Sequence, residues 1–178
     1  MNKDGHVVNA ALLGVGVGVL VQVMNNPGWT LVLDQFLLDV LEVATPIVLG
    51  ALFPDVDTAF GKHRKTLHNL PVLAFFMAFP LVFGNLEYVW LGILTHYVLD
   101  IVGSRRGIAL FYPYPKEYGF PTGVTTSSAA AMPVTIIITI LELAFIALIL
   151  HFEFSLATLE LAAQTAAEFV TTLAILPI

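Results

Sequence analysis

Long apolar runs broken by short polar interruptions make up this chain. They predict helices at about residues 7–24, 34–53, 70–83, 86–102, 129–152 and 155–176. A bilayer core takes about 20 residues of helix to cross. The fifth run meets that length most clearly, and the third is short for it. Gly14, Gly16 and Gly18 alternate with valine and leucine in the first run, a pattern that also suits a strand. A lone strand leaves its backbone unpaired in lipid, so a helix is expected, with the small residues letting a neighbouring helix approach closely. Asn25 to Gly28 and Gly84–Asn85 read as turns. Thr45–Pro46 is expected to kink the second helix, and Pro71 suits the first turn of the third. Asp34, Asp39 and Glu42 gather in one half of the second helix, which is expected to protrude or lie at the interface.

Composition makes the class definite. Hydrophobic residues are 58% and charged residues 11%, and the mean hydropathy is +0.89. A soluble domain needs more polar surface than that. The expected fold is all-α: a polytopic integral membrane bundle of about six transmembrane helices, forming a single membrane domain over 1–178 with a polar site at the cytoplasmic ends. Lys3 is the only basic side chain ahead of the first run, and no small-residue cleavage site closes it, so the first helix is expected to be retained. Cysteine is absent, which excludes disulfides and thiolate ligands. The basic residues are few and clustered, which argues against nucleic acid.

Those clusters set an orientation. Lys3, then Lys62, Arg64 and Lys65, then Arg105, Arg106 and Lys116 fall in alternate connections. The intervening connections near Asn25, Gly84 and Glu153 hold none. By the positive-inside rule the basic side is cytoplasmic, with both termini on it. The 103–128 connection, with Tyr112, Tyr114, Tyr118 and Pro113, Pro115 and Pro121, is expected to lack regular structure and to sit among lipid headgroups.

The candidate chemistry lies on that same side. Leu52 to Leu70 reads LFPDVDTAFGKHRKTLHNL and holds Asp55, Asp57, His63 and His68. His96 and Asp100 stand at i and i+4 in the fourth helix and so share a face. His6 opens the first helix. Four of the five histidines and three aspartates therefore converge on one membrane face, and only His151 falls at the opposite end. Imidazole with carboxylate suits zinc, manganese or iron, and the lack of cysteine favours an open site over a closed structural one. Each residue also has a plain reading: His6 as an interfacial side chain, Asp55 and Asp57 as turn or cap residues, His63 as part of a basic lipid-contacting patch. That reading is weakest for His96 and Asp100, which lie inside a membrane helix. Glu142, mid-way along the fifth helix, is either a functional carboxyl or a protonated one bonded to Gln164 or Thr139; the second is favoured.

Pro54-Asp55-Val56-Asp57, His63-Arg64, Leu67-His68-Asn69 and His96-Tyr97-Val98-Leu99-Asp100 together resemble the signature of the YdjM-like family, described as LexA-regulated, membrane-bound, metal-dependent hydrolases. His6 matches its frequent N-terminal histidine. Leu67 and Asn69 depart from the family's Thr and Ser. The family is thought to be related to zinc-dependent phospholipases C and P1-type nucleases, but no second His-x-x-x-Glu/Asp follows Arg106, so one or two metals are expected rather than three. The resemblance implies His6, Asp55, Asp57, His63, His68, His96 and Asp100 as the metal set, zinc before manganese or iron. Asp57, His63 and Arg64 are the candidate catalytic residues, with Arg64 holding an anionic group and Lys65, Arg105 and Arg106 as possible assistants. The expected substrate is a phosphoester of a lipid or lipid-linked molecule at the cytoplasmic face. The rival expectations are a structural metal cluster and a small transporter using Glu142 and His96.

Overall fold

The computed structural model describes residues 3–25, 33–84, 86–121 and 123–151. In order these form α1 (Lys3–Asn25), α2 (Leu33–Leu52), a 3-10 turn (Pro54–Val56), α3 (Asp57–Phe60), α4 (Leu70–Phe83), α5 (Val89–Val102) and α6 (Ala131–His151). All regular elements among the described residues are helical. The 103–128 connection adds only two isolated bridges, Ser104 with Val124 and Ile108 with Tyr118. The expected polar loop 54–69 is partly helical, because Pro54 fits the first position of a tight turn and Asp57 then opens one turn of helix. α5 begins at Val89 rather than 86, since Leu86 takes a left-handed backbone (φ 58°) that a helix cannot continue through. The sixth expected segment, 155–176, with Gln164, lies outside the described residues, as do Asn26 to Gly28, Asn85 and the His151 side chain.

Three helical stretches are long and apolar enough to cross a membrane: Lys3–Met24, Leu33–Phe60 and Ala131–Leu150. Leu70–Phe83 and Val89–Val102 are shorter apolar helices. Two compact units divide the chain, Met1–Leu143 and Ala144–Ile178.

Small residues decide how α1, α2 and α5 meet. A Cβ on Gly14 would lie 2.6 Å from the Ala44 Cα, and one on Gly18 3.0 Å from the Val40 Cα, so α1 rides directly on α2. The α2–α5 crossing is tighter still. A Cβ on Gly50 would strike the Val89 carbonyl, and one on Gly92 would strike the Ile47 carbonyl. Pro46 lies inside α2, which runs on to Leu52. α5 is enclosed along most of its length, with Leu91, Ile93, Tyr97 and Leu99 all buried. α4 is different. It starts at an Asn69 cap that accepts from the Val72 amide and ends on Gly84 in the left-handed conformation (φ 64°). Phe75, Met77, Leu81, Val82 and Phe83 leave its outer face greasy and exposed, and Ile136, Ile137, Ile140 and Leu141 do the same on α6. Lipid is the solvent that suits those faces. In the acidic half of α2, Asp34 and Glu42 are exposed.

The 103–128 connection folds back over the polar stretch. The Ala109 amide donates to the Arg64 carbonyl at 2.9 Å and the Leu70 amide to Leu110 at 2.9 Å. Glu117 ties the layers by pairing with Lys65 at 3.2 Å and Arg106 at 3.5 Å. Partial burial pushes the Glu117 carboxyl up, yet the Lys65 hydrogen bond and the two cations hold it below its ordinary value.

Two outcomes are expected. Gly92→Val forces α2 and α5 apart and costs about 1–3 kcal/mol, read as a lower unfolding midpoint in detergent. The Glu117 tie is fully present above the ordinary carboxylate pKa and is lost as pH falls through its lowered folded-state pKa. Exchange of the Ile108 and Tyr118 amides, bonded to each other's carbonyls at 3.0 and 2.8 Å, should therefore stay slow through mild acid and quicken only below that range.

Candidate metal centre

The α2–α5 crossing fixes the first imidazole. Close approach at Gly50 and Gly92 carries the Ala51 carbonyl to 2.6 Å from His96 Nδ1. A carbonyl only accepts, so Nδ1 carries the proton and Nε2 presents a lone pair. His68 is set in the same way by a carboxylate: its Nδ1 lies 3.0 Å from Asp57 Oδ2, which fixes a proton on Nδ1. The two Nε2 atoms face each other at 3.1 Å. Both residues are fully buried.

Carboxylates close the ring. Asp55 Oδ1 lies 3.7 Å from His68 Nε2 and 3.6 Å from His96 Nε2. Asp100 Oδ2 lies 3.8 and 3.7 Å from the same two atoms. Each carboxylate thus offers an oxygen near both imidazole nitrogens. Imidazole nitrogen and carboxylate oxygen are donor types that suit a divalent cation. Three aspartates, Asp55, Asp57 and Asp100, gather beside the buried histidines, and the Arg64 guanidinium pairs with Asp100 at 3.3 Å.

The remaining expected residues divide into three groups. His6 joins the cage from α1. It stacks on His96 with ring centroids 3.7 Å apart, and its Nε2 lies 3.4 Å from Asp100 Oδ1. Its buried Nδ1 finds no hydrogen-bond partner among the described residues. His6, His96 and Asp100 form one group able to hold an ion, and Asp55, His63 and His68 a second, each with ligand atoms within 4.8 Å of one another. Asp57 stands behind the ligands. Its oxygens are taken by His63 Nδ1 at 3.1 Å, by His68 Nδ1, and by the Leu67 amide at 3.3 Å. That is the orienting carboxylate typical of metal-bound histidine. Arg64 also points inward, in a left-handed backbone conformation (φ 66°). Its guanidinium donates to Asp100 Oδ1 at 3.3 Å, to Ser104 Oγ at 3.2 Å and to the Arg106 carbonyl.

Access is uneven. His6, Asp57, His68, His96 and Asp100 are buried, whereas the Asp55 and His63 side chains are 28% and 42% exposed. Those two line a cleft of about 510 Å³ together with Lys3, Leu52, Val56 and Thr58.

Sequence reasoning passed over several supports. Tyr97 hydroxyl donates to the Leu67 carbonyl at 2.6 Å and accepts from the Asn69 amide at 3.1 Å, which pins His68 from both sides. The departures from the family pattern have local roles. Asn69 caps α4 and donates to the Lys65 and Thr66 carbonyls at 2.9 and 2.8 Å, and Leu67 meets Asp57 through its backbone. Asn9, one turn beyond His6 on α1, was signalled only by being polar within an apolar run.

Asn9 belongs to a second buried polar group. Thr95 Oγ1 lies 2.6 Å from Asn9 Oδ1 and 2.7 Å from both Glu142 oxygens. One hydroxyl proton cannot serve three acceptors, so Glu142 carries a proton that it gives to Thr95 while Thr95 donates to Asn9. Asn9 Nδ2 then donates to Glu142 Oε2 and Thr139 Oγ1, each at 2.9 Å. Glu142 is hydrogen-bonded, as expected, but its partners are Asn9 and Thr95 rather than Thr139. Thr139 shares the Asn9 amide with Glu142, and Gln164 lies outside the described residues.

A family model described as YdjM inner membrane protein matches residues 1–173. The chain belongs to that family. The match covers the whole of the polar stretch, α5 and the 103–128 connection, and it makes this an inner membrane protein in contact with lipid. No curated protein and no solved structure matches the chain.

The neutral reading of Glu142 is checked by two replacements. Glu142→Gln keeps a donor and an acceptor in place and should leave the unfolding midpoint near wild type. Glu142→Leu strands Asn9 and Thr95 and should cost about 1–3 kcal/mol.

Proposed function

We propose that this chain is a metal-dependent hydrolase of the inner membrane that acts on a phosphoester of a lipid or lipid-linked molecule. The observation that carries the reading is the pair of facing imidazoles of His68 and His96 with Asp55 and Asp100 carboxylate oxygens beside both, next to a cleft on the Asp55 side. Zinc is the expected ion, one or two per chain, with manganese or iron compatible with the same donors. When bound, it supplies polarisation of a phosphoryl oxygen and acidification of a water. His68, His96, Asp55 and Asp100 are the principal ligands; His6 and His63 extend the set to a second ion. Asp57 holds the histidine tautomers. Arg64 holds Asp100 in place and balances its charge rather than meeting substrate. His63, half-exposed with Nδ1 on Asp57, is the best-placed base or acid at the cleft.

The proposal includes six crossings, with the 52–70 stretch, the 103–128 connection and both termini on the cytoplasmic side. A purely structural metal cluster is the second reading, favoured by the burial of His6, His68 and His96. The solvent-facing pair Asp55 and His63 speaks against it. Transport through Glu142 is disfavoured because its oxygens are fully engaged.

Metal analysis of purified protein tests the core of this. Wild type should carry zinc, His96→Ala should lose it, and Asp57→Asn should weaken affinity by about 10–100-fold while the fold persists. A metal-free wild type after purification without chelator sinks both metal readings; metal retained with no hydrolysis across a phosphoester and lipid panel selects the structural one. Cysteines placed at Lys62 and Arg105 should resist impermeant labelling of intact cells, and ready labelling at either overturns the orientation.

A further inference from the structure

The basic side chains around the site are mostly committed elsewhere. Arg64 is spent on Asp100, Lys65 and Arg106 on Glu117, Arg105 on the Gly123 carbonyl, and Lys116 lies over the Tyr118 ring. Lys62 and Lys3 are both exposed, and neither has an ion-pair partner among the described residues. Of the lysine and arginine side chains among the described residues, Lys3, at the start of α1, is the one lining the 510 Å³ cleft whose inner wall is Asp55 and His63. The opposite character lines the rest of that cleft. Leu52 and Val56 present apolar surface, Val56 being 48% exposed. A volume of that size is within the range of small-molecule sites.

We propose that Lys3 is the substrate-anion residue of this site and that the cleft takes an amphiphilic phosphate ester, its phosphate against the Lys3 ammonium and its first methylenes against Leu52 and Val56. This rests on the phosphoester reading above and names the recognition element that reading lacks once Arg64 is committed inward. Lysine suits the role as a mobile point charge able to follow a phosphate group. The apolar wall gives the selectivity. A soluble phosphate gains only the charge contact, whereas each methylene buried on Leu52 or Val56 adds about fourfold in affinity.

The test uses the full chain in nanodiscs, with lysines reductively methylated with a carbon-13 label and the Lys3 signal assigned by its loss in Lys3→Arg. Methylphosphonate and octylphosphonate are titrated against zinc-loaded and chelator-treated protein, with zinc content measured throughout. The Lys3 signal should shift with both probes, at concentrations at least tenfold lower for octylphosphonate. Lys3→Gln should weaken binding of both probes by about tenfold or more, measured calorimetrically, with zinc content unchanged, and Lys3→Arg should restore most of the affinity. Val56→Ser should abolish the octyl preference and leave methylphosphonate binding intact, which separates cleft contacts from partition into lipid. Unchanged phosphonate affinity in Lys3→Gln overturns the assignment while leaving the metal reading standing. An octyl preference that survives Val56→Ser overturns the amphiphile. A wild type that binds no zinc yet shows the Lys3-dependent phosphonate response removes the hydrolase reading and keeps the anion site.

Discussion

Two imidazole nitrogens facing each other at 3.1 Å, each with its proton held on the far side of the ring, are the constraint on which the rest of this molecule turns. The carboxylates of Asp55 and Asp100 lie beside them. The surrounding architecture holds all four groups in place. Glycine contacts between α2 and α5 bring the Ala51 carbonyl to His96. Asp57 clamps His63 and His68. Arg64, in its left-handed conformation, reaches across to Asp100 while its own carbonyl is held by the 103–128 connection. Backbone, carboxylate and guanidinium supports thus converge on one pair of imidazoles.

The membrane explains why this polarity is concentrated. Outer faces of α4 and α6 carry exposed phenylalanine, isoleucine and leucine, so polar chemistry has to be placed inside the bundle or in its connections. It takes two forms. Around Glu142 the groups satisfy each other: a neutral carboxyl, an amide and hydroxyls close a network with donors and acceptors matched. Around His68 and His96 imidazoles and carboxylates predominate, and the buried His6 Nδ1 finds no partner among the described residues. The two clusters are joined through α1, where His6 and Asn9 are one turn apart, and through α5, where Thr95 and His96 are adjacent. The Glu142 cluster thus anchors the helices that carry the histidines.

Much of the helix pattern was legible because apolar run length reports directly on helices in lipid; 70–83 was read to the residue. The pairing of His96 with Asp100 was legible because helical spacing puts i and i+4 on one face. The separation of roles among the aspartates was not. Asp55 and Asp57 are chemically identical and two residues apart, and only the turn at Pro54–Val56 decides that one faces the cleft and the other backs two histidines. Arg64 was read as an anion clamp because an arginine beside a histidine suits that work, yet a positive φ at a single residue turns its side chain inward. Partners supplied by backbone, such as the Ala51 carbonyl, leave no mark in side-chain identity. Lys3 was visible only as a topological charge, because the cleft it lines is made by residues some fifty positions away.

Burial across the site has a direction. Asp100, His96 and His6 are sealed between helices, His68 is sealed beneath the polar stretch, and exposure rises through Asp55 to His63. A cluster whose sole purpose is to pin helices together gains from being closed on all sides, since water competes for its ligands. Chemistry on an outside molecule needs one open side, and that side must carry a group able to move a proton. His63 meets this need: one ring nitrogen is fixed by Asp57, and the side chain is 42% exposed. The same gradient places the exposed ammonium of Lys3 and the apolar Val56 beside the open ligand rather than beside the sealed ones. The asymmetry of the site, more than its donor count, is what the proposed catalytic reading rests on.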